Sequence, residues 1–149
     1  MQDWLRANFK RWDDGVLFDE WLANIDRHFN NLLVGAHGEV QLIDHDQCFS
    51  GPSWKSIDLK PSQAYTNRLA DMMVPKLHLA QRVKLKEKAT TYCSLIGAVD
   101  ISKAYAASMT DQLLPADDLA ALTVFLQDRI KHFESIVSMR VGMPLLGGI

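Results

Sequence analysis

Three polar residues in the first third of the chain, Asp26, Asn31 and Asp44, have the types and spacing needed for phosphoryl transfer. That reaction needs a carboxylate to orient the attacking hydroxyl, and oxygen ligands for the Mg²⁺ that bridges the nucleotide phosphates. Asp26 can supply the carboxylate. Asn31 and Asp44 can supply hard oxygen ligands of the kind that Mg²⁺ prefers. The pattern therefore predicts Asp26 as the catalytic carboxylate and Asn31 and Asp44 as the metal and nucleotide ligands.

A β-hairpin is predicted over residues 32–43, where two short apolar runs flank a turn that contains two glycines. Because a hairpin returns the chain to its starting point, we expect Asn31 at its entrance and Asp44 at its exit to lie side by side. Asp26 lies one loop earlier and is expected to face the same space. Polar residues beside a hairpin are also ordinary turn chemistry, so surface turn polarity is the alternative interpretation.

The sequence around these residues resembles two kinase families. The similarity to the HipA-like kinases of bacteria and phages extends over residues 18–49, and a less specific Phe-Leu-x-x-Arg helix follows at 125–129. The catalytic loop of phosphatidylinositol kinases, Asp-Arg-His-x-x-Asn, resembles the segment Asp26-Arg27-His28-Phe29-Asn30-Asn31. The resemblance implies a mainly α fold, the helical C-lobe of a protein-kinase-like domain with one small β-hairpin. It also implies Mg²⁺ and ATP as cofactors.

Neighbouring polar residues have more than one possible role. The resemblance adds His28 as a catalytic candidate, acting either as an acid or base or as a hydrogen-bonding group that orients Asp26; orientation is the favoured role. Arg27 is expected to pair with a carboxylate or a phosphate. Asp46 is either a second metal ligand or a solvated neighbour of Asp44, and the second interpretation is favoured.

The phosphate-binding elements of a complete kinase have no counterpart in the sequence. No Gly-x-Gly-x-x-Gly or Val-Ala-x-Lys pattern occurs, although kinases use such elements to hold the nucleotide phosphates. The leading hypothesis is therefore a phosphotransferase C-lobe that is incomplete without an N-lobe partner. The alternative is a non-catalytic binding or regulatory protein on the same scaffold. A third hypothesis, a helical interaction protein without kinase ancestry, predicts that residues 32–43 form no hairpin.

Composition sets the broad class of the protein. The 149 residues, 48% hydrophobic and 23% charged, predict a single globular domain, with a catalytic-type loop and hairpin at 24–46 and a helical bundle at 61–140. A net charge of −2 without a dominant basic run argues against nucleic acid as a partner. No apolar run approaches the roughly 20 residues of a membrane span. The amino terminus lacks a secretion signal, so the expected location is the cytoplasm.

Apolar periodicity predicts the elements that would position the site. It places helices at 3–13, 16–25, 62–74, 76–96, 100–113 and 116–140. Asp13-Asp14-Gly15 is expected to end the first helix, and the residues after Gly142 are expected to fray. Trp4, Phe9 and Trp12 are predicted to lie near a contact with an N-lobe-like protein or a second copy of the chain. The alternative is that these side chains fold back into the core.

Overall fold

The computed structural model describes residues 2–143, and this part of the chain is mainly α-helical with one two-stranded antiparallel hairpin, as predicted. The expected fraying of the last residues falls largely on 144–149, outside the described part. In chain order, the helices and strands are α1 Gln2–Asn8, α2 Trp12–Trp21, β1 Leu32–Val34, β2 Val40–Leu42, α3 Arg68–Met73, α4 Leu79–Gly97, α5 Ile101–Ser108, α6 Thr110–Leu113 and α7 Ala116–Arg140.

The break between the first two helices lies earlier than predicted. α1 ends at Asn8, and Asp13 and Asp14 occupy the first turn of α2, where carboxylates interact favourably with the helix dipole. Gly15 does not end a helix. It is buried inside α2, and a Cβ at this position would lie 3.0 Å from the Leu69 side chain. The glycine therefore allows α2 and α3 to pack closely. The prediction that Asp13-Asp14-Gly15 ends a helix was wrong.

α2 has the predicted length of ten residues but lies four residues earlier, so it ends at Trp21 rather than at residue 25. Ala23 has a left-handed backbone with φ of +51°, which no helix can continue through. The Trp21 indole donates a hydrogen bond to the Leu126 carbonyl of α7 (3.2 Å), and the amides of Phe49 and Ser50 bind carbonyls at 22 and 23. Hydrogen bonds to α7 and to the loop at 49–50 thus hold the end of α2 and the residues that follow it, before the chain reaches Asp26.

The predicted hairpin is present. β1 and β2 pair antiparallel with Leu32 opposite Leu42 and Val34 opposite Val40. Leu32 and Leu42 pack against the core, whereas Leu33 is exposed on the other face. The third hypothesis predicted that residues 32–43 form no hairpin, and this prediction is wrong.

The prediction of a helix over 62–74 was wrong for the first half of that range. The helical bundle therefore begins at Arg68 and not at 61. Residues 60–67 run as turns and extended chain because the carbonyls of Pro61 and Gln63 accept hydrogen bonds from Arg129 (3.0 and 2.8 Å). Asn67 then caps α3 by accepting a bond from the Ala70 amide (2.9 Å).

The later helices follow the predicted pattern with two differences. α4 begins at Leu79 rather than at 76, because Pro75 lies in a short 3-10 turn, Val74–Lys76. The helix predicted over 100–113 is divided into α5 and α6 by Met109, whose φ is +56°. Asp100 caps α5, accepting a hydrogen bond from the Lys103 amide (3.1 Å). α7 has the predicted bounds.

The core lies where α7 packs against α2 and α4. Its large buried side chains include Leu17, Leu69, Phe125 and Phe133. No helix of the described part of the chain is long and apolar enough to cross a membrane.

The amino-terminal aromatic residues are divided between core and surface. Phe9 is buried and Trp12 packs partly against the core, so these side chains fold back into the domain rather than forming a free contact surface. Trp4, which is 39% exposed, is the one of the three that solvent can reach substantially.

Candidate active site

Arg27 lies at the centre of the segment that sequence analysis selected. Its guanidinium is fully buried and binds the equally buried Asp19 carboxylate of α2 through two nitrogens, with Nη2 at 2.9 Å from Oδ1 and Nε at 3.0 Å from Oδ2. The expected pairing of Arg27 with a carboxylate is confirmed. Asn24 adds a further hydrogen bond to Asp19 (3.0 Å). A two-pronged, charge-assisted pair of this kind fixes the orientation of the arginine as well as its charge.

The remaining nitrogen of Arg27 joins the candidate catalytic loop to the hairpin. Nη1 donates to the carbonyls of Asn31 (3.4 Å), Ile43 and Asp44 (3.4 Å). The Ile43 amide also donates to the Asn31 carbonyl (3.0 Å). The backbones of Asn31 and Asp44 therefore meet at one guanidinium, which is the side-by-side arrangement that the hairpin predicts for the main chain.

Asp26 and Asn31 are linked directly. The Asn31 side chain is buried, and its Nδ2 donates to the Asp26 carbonyl (2.9 Å). Because this bond uses the amide nitrogen, the carboxamide oxygen is the end of Asn31 left to serve as a cation ligand. The Asp26 amide in turn donates to the side-chain oxygen of Asn24 (3.2 Å). Main-chain and side-chain bonds thus hold the loop around Asp26.

His28 lies against the Asp26 carboxylate, with Nε2 at 3.6 Å from Oδ2. Its Nδ1 is buried and has no hydrogen-bond partner within the described residues. This separation is longer than a hydrogen bond. The orienting role and the acid or base role of His28 therefore both stay predictions.

Asp44 follows β2 in an unusual backbone conformation. Its φ is +55°, a left-handed value that non-glycine residues adopt rarely and that recurs at functional sites. Its side chain is exposed, whereas its carbonyl is held by Arg27. Asp46 is also exposed and accepts a hydrogen bond from the Gln47 side chain (3.0 Å). This environment suits the solvated role that was favoured for Asp46.

Arg68 is a site residue that sequence analysis missed. Its Nη1 lies 2.9 Å from Oδ1 of Asp26, so the two carboxylate oxygens face Arg68 on one side and His28 on the other. The side chain of Asp26 is 31% exposed and that of Arg68 is 55% exposed. No local pattern connects the two residues, because the contact depends on how α3 packs beside the loop.

A second buried network surrounds Glu20, the neighbour of Asp19 in α2. Its carboxylate accepts hydrogen bonds from Arg129 (3.3 Å), Arg140 (3.2 and 3.3 Å) and Asn67 (3.1 Å). Burial raises the pKa of Glu20, and the two arginines oppose that shift. This network was not predicted from the sequence. The sequence feature that could have indicated it is the pair Asp19-Glu20 between two aromatic residues of the same helix. Charges buried beside such residues require partners.

A cavity of about 440 Å³ opens beside the loop that follows the hairpin. Its lining includes Ser50, Trp54, Lys60 and Tyr65. The loop has left-handed backbone at Phe49, and the Trp54 ring packs edge-on against Phe49 with centroids 6.2 Å apart. Trp54 also packs against the core of the domain, while it lines the cavity.

Asn31 and Asp44 are the candidate oxygen ligands for a metal ion at this site. Within the described residues, no group of three or more His, Cys, Asp and Glu side chains could hold a metal ion. Asn31 and Asp44 supply at most two oxygen ligands. Mg²⁺ is usually bound in this way, by one or two protein oxygens with phosphate and water completing its shell.

Two further groups near the site have shifted pKa values. Burial lowers the pKa of His45, and the positive charge of Arg27 adds to the effect. His45 packs edge-on against Phe18 of α2, with ring centroids 5.8 Å apart. Burial raises the pKa of the Cys48 thiol to about 12. Cys48 is therefore a protonated, unreactive thiol at neutral pH.

Comparison with protein-family models, with curated proteins and with solved structures finds no significant match to the chain. A functional assignment therefore depends on the chemistry of Asp26, Asn31 and Asp44 and on the contacts that hold them.

Proposed function

We propose that the chain is the helical C-lobe of a HipA-like phosphotransferase that uses Mg²⁺ and ATP. The observation that carries this proposal is the contact of one buried guanidinium, Arg27, with the carbonyls of Asn31, Ile43 and Asp44. It supports the proposal because two metal ligands have to be held at a constant separation if they are to bind one ion. Positioning of this kind supplies most of the catalysis in phosphoryl transfer.

Each residue has a defined role in this proposal. Asp26 orients the acceptor hydroxyl and receives its proton, while His28 holds the Asp26 carboxylate. The Asn31 carboxamide oxygen and the Asp44 carboxylate would hold Mg²⁺ together with ATP. The ion would neutralise charge on the transferring phosphate. The acceptor hydroxyl would approach Asp26 from the solvent side, since about a third of that side chain is exposed.

The proposal also includes a partner. The sequence lacks the glycine-rich and lysine-bearing elements that grip phosphates in kinases. We therefore expect the chain to bind Mg²⁺-ATP weakly by itself and to act in the cytoplasm with an N-lobe-like protein or as a homodimer. Trp4 is the amino-terminal aromatic residue with enough exposure to contribute to such a contact.

Paramagnetic Mn²⁺ tests the metal site without requiring activity. In the presence of ATP, Mn²⁺ should broaden the NMR signals of residues 31 and 44 first, and Asp44→Asn should weaken this effect. Asp46→Asn is the matched control, since it removes a nearby exposed carboxylate that the proposal leaves out of the site. Broadening that survives Asp44→Asn but disappears in Asp46→Asn would reject the assigned ligands.

Turnover provides the second test. Purified chain, alone and with any partner recovered from its source cells, should be assayed for ATP hydrolysis and substrate labelling. We expect little activity from the chain alone, and activity in the complex that Asp26→Asn abolishes. Activity that Asp26→Asn leaves unchanged would contradict the catalytic role of Asp26. A complex that binds Mg²⁺-ATP without turnover would favour the alternative of a regulatory binding protein.

A further inference from the structure

We propose that Arg68 is a phosphate-positioning residue, which holds the terminal phosphates of the nucleotide beside Asp26. This inference rests on the proposed function and extends it to a residue outside the 26–44 segment. Arg68 contacts the Asp26 carboxylate at 2.9 Å although it belongs to α3. The structure thus brings a cation from a separate helix to the carboxylate that would orient the acceptor.

Arg68 is the arginine of this site that a ligand can reach. Arg27 is adjacent to Asp26 in sequence, but its guanidinium is fully buried and its nitrogens bind Asp19 and main-chain carbonyls. More than half of the Arg68 side chain is exposed. A guanidinium has five N–H donors in a planar fork. The contact with one oxygen of Asp26 leaves donors that can bind phosphate oxygens at the same time.

The main chain beneath Arg68 is firmly anchored, although its side chain is accessible. Asn67, the preceding residue, is buried and donates from Nδ2 to the Val16 carbonyl (3.0 Å) and to the Glu20 carboxylate (3.1 Å). It also caps α3 through the Ala70 amide. The position of Arg68 is therefore tied to α2, which is the helix that leads to Asp26. Such anchoring lets a long side chain act at a defined point.

The positive charge of Arg68 would offset the repulsion between Asp26 and a bound phosphate. A phosphate approaching Asp26 would meet the negative charge of that carboxylate, and repulsion would oppose binding. A guanidinium between the two anions attracts both, and its planar donors match the geometry of phosphate oxygens. The remaining face of Asp26 borders His28 at 3.6 Å. Carboxylate oxygens have about four lone-pair sites in total, so an acceptor hydroxyl can still bind Asp26.

Binding of inorganic pyrophosphate and of Mg²⁺-ATP, measured by NMR titration, tests the proposal. Arg68→Gln should weaken the binding of both probes about tenfold or more, as expected when a charged hydrogen bond to phosphate is lost. Arg68→Lys should restore part of the affinity, because it keeps the charge but lacks the fork. Arg11→Gln is the matched control. Arg11 also forms a 2.9 Å ion pair, with Asp14 at the opposite end of α2.

Asp26→Asn separates phosphate binding from a purely structural ion pair. It breaks the same contact from the other side, so a structural role predicts that Asp26→Asn and Arg68→Gln affect binding in the same direction. Our proposal predicts opposite effects, because removing the Asp26 charge frees Arg68 and should strengthen pyrophosphate binding. Equal losses in the two variants would overturn the proposal, as would wild-type affinity in Arg68→Gln.

The Mn²⁺ experiment distinguishes this inference from the function on which it rests. Mn²⁺ binding at Asn31 and Asp44 with unchanged pyrophosphate affinity in Arg68→Gln would overturn the role of Arg68 alone. Pyrophosphate binding that depends on Arg68, without Mn²⁺ at those ligands, would support an anion site and overturn the magnesium site. Wild-type protein that binds neither pyrophosphate nor Mg²⁺-ATP at millimolar concentrations would overturn the role of Arg68.

Discussion

Asp19 and Glu20 are consecutive residues of α2, but their carboxylates are neutralised in two separate buried networks. Asp19 pairs with Arg27, whereas Glu20 pairs with Arg129 and Arg140 of α7. The first network holds the candidate catalytic loop and the hairpin exit. The second attaches α7 to the same helix. α2 is therefore the element that couples the candidate site to the helical body.

Replacing Arg27 should destabilise the protein strongly. Arg27→Met leaves the buried Asp19 carboxylate without its counter-charge, and breaking a buried pair from one side typically costs about 3–5 kcal/mol. The free energy of unfolding from urea titration measures the loss. Asp19→Leu combined with Arg27→Met removes both charges, but it also removes the hydrogen bonds that Nη1 of Arg27 donates to the carbonyls of Asn31, Ile43 and Asp44. Wild-type stability in that double variant would mean that these carbonyl contacts contribute nothing.

Met109→Gly should stabilise the protein, although it removes a side chain. Met109 joins α5 to α6 with φ of +56° and is 58% exposed. Relief of a left-handed non-glycine conformation gains about 1–2 kcal/mol, and the greater freedom of glycine in the unfolded chain takes back up to about 1 kcal/mol. Thermal unfolding measures the net gain. Gln127→Gly, at an exposed position in the middle of α7, is the control and should lose about 1 kcal/mol. A loss at both positions would contradict the role given to the backbone of Met109.

The stability of the protein should depend on pH through His45. Burial lowers the pKa of His45 in the folded protein, so the unfolded chain binds this proton first as the pH falls. The contribution of His45 to stability is therefore complete above its ordinary pKa of about 6.5 and declines below it. Urea titrations between pH 8 and pH 5 should show a steeper decline for the wild type than for His45→Gln. Parallel curves would contradict this assignment.

Cys48 should resist alkylation in the folded protein. Burial raises its pKa to about 12, and its side chain is almost inaccessible. Cys93 is only partly buried, and burial raises the pKa of this thiol as well. Iodoacetamide labelling followed by mass spectrometry should therefore modify Cys93 before Cys48. Both thiols should react at similar rates in concentrated urea, and fast labelling of Cys48 in the native state would contradict its buried position.

Elements with a strong local signal were predictable. The bounds of α7 follow from a long apolar stripe after Pro115, and the hairpin follows from two apolar runs around a glycine turn. The helix predicted at 62–74 failed because the carbonyls of Pro61 and Gln63 are bound by Arg129, which is remote in sequence. Tertiary hydrogen bonds of this kind override local helix propensity.

The contacts of the candidate site likewise include some that local sequence predicts and some that it does not. The proximity of the Asn31 and Asp44 backbones was predictable because a hairpin creates it locally. The sequence predicted only that Arg27 pairs with a carboxylate or a phosphate. Apolar periodicity does not show which buried acidic residue lies next to Arg27. Arg68 could not be predicted at all. Its contact with Asp26 arises from the packing of α3, which no pattern around either residue encodes.

The Glu20 network has a consequence for biosynthesis. Glu20 and its partner Arg129 are 109 residues apart in the chain. A ribosome that adds roughly 5–20 residues per second makes the carboxylate at least about 5 s before that arginine emerges. Until then Glu20 lacks this counter-charge, and we expect it to stay hydrated, which keeps α2 from reaching its final packing. We therefore expect the loop that carries Asp26 to reach its final arrangement only after α7 has been made.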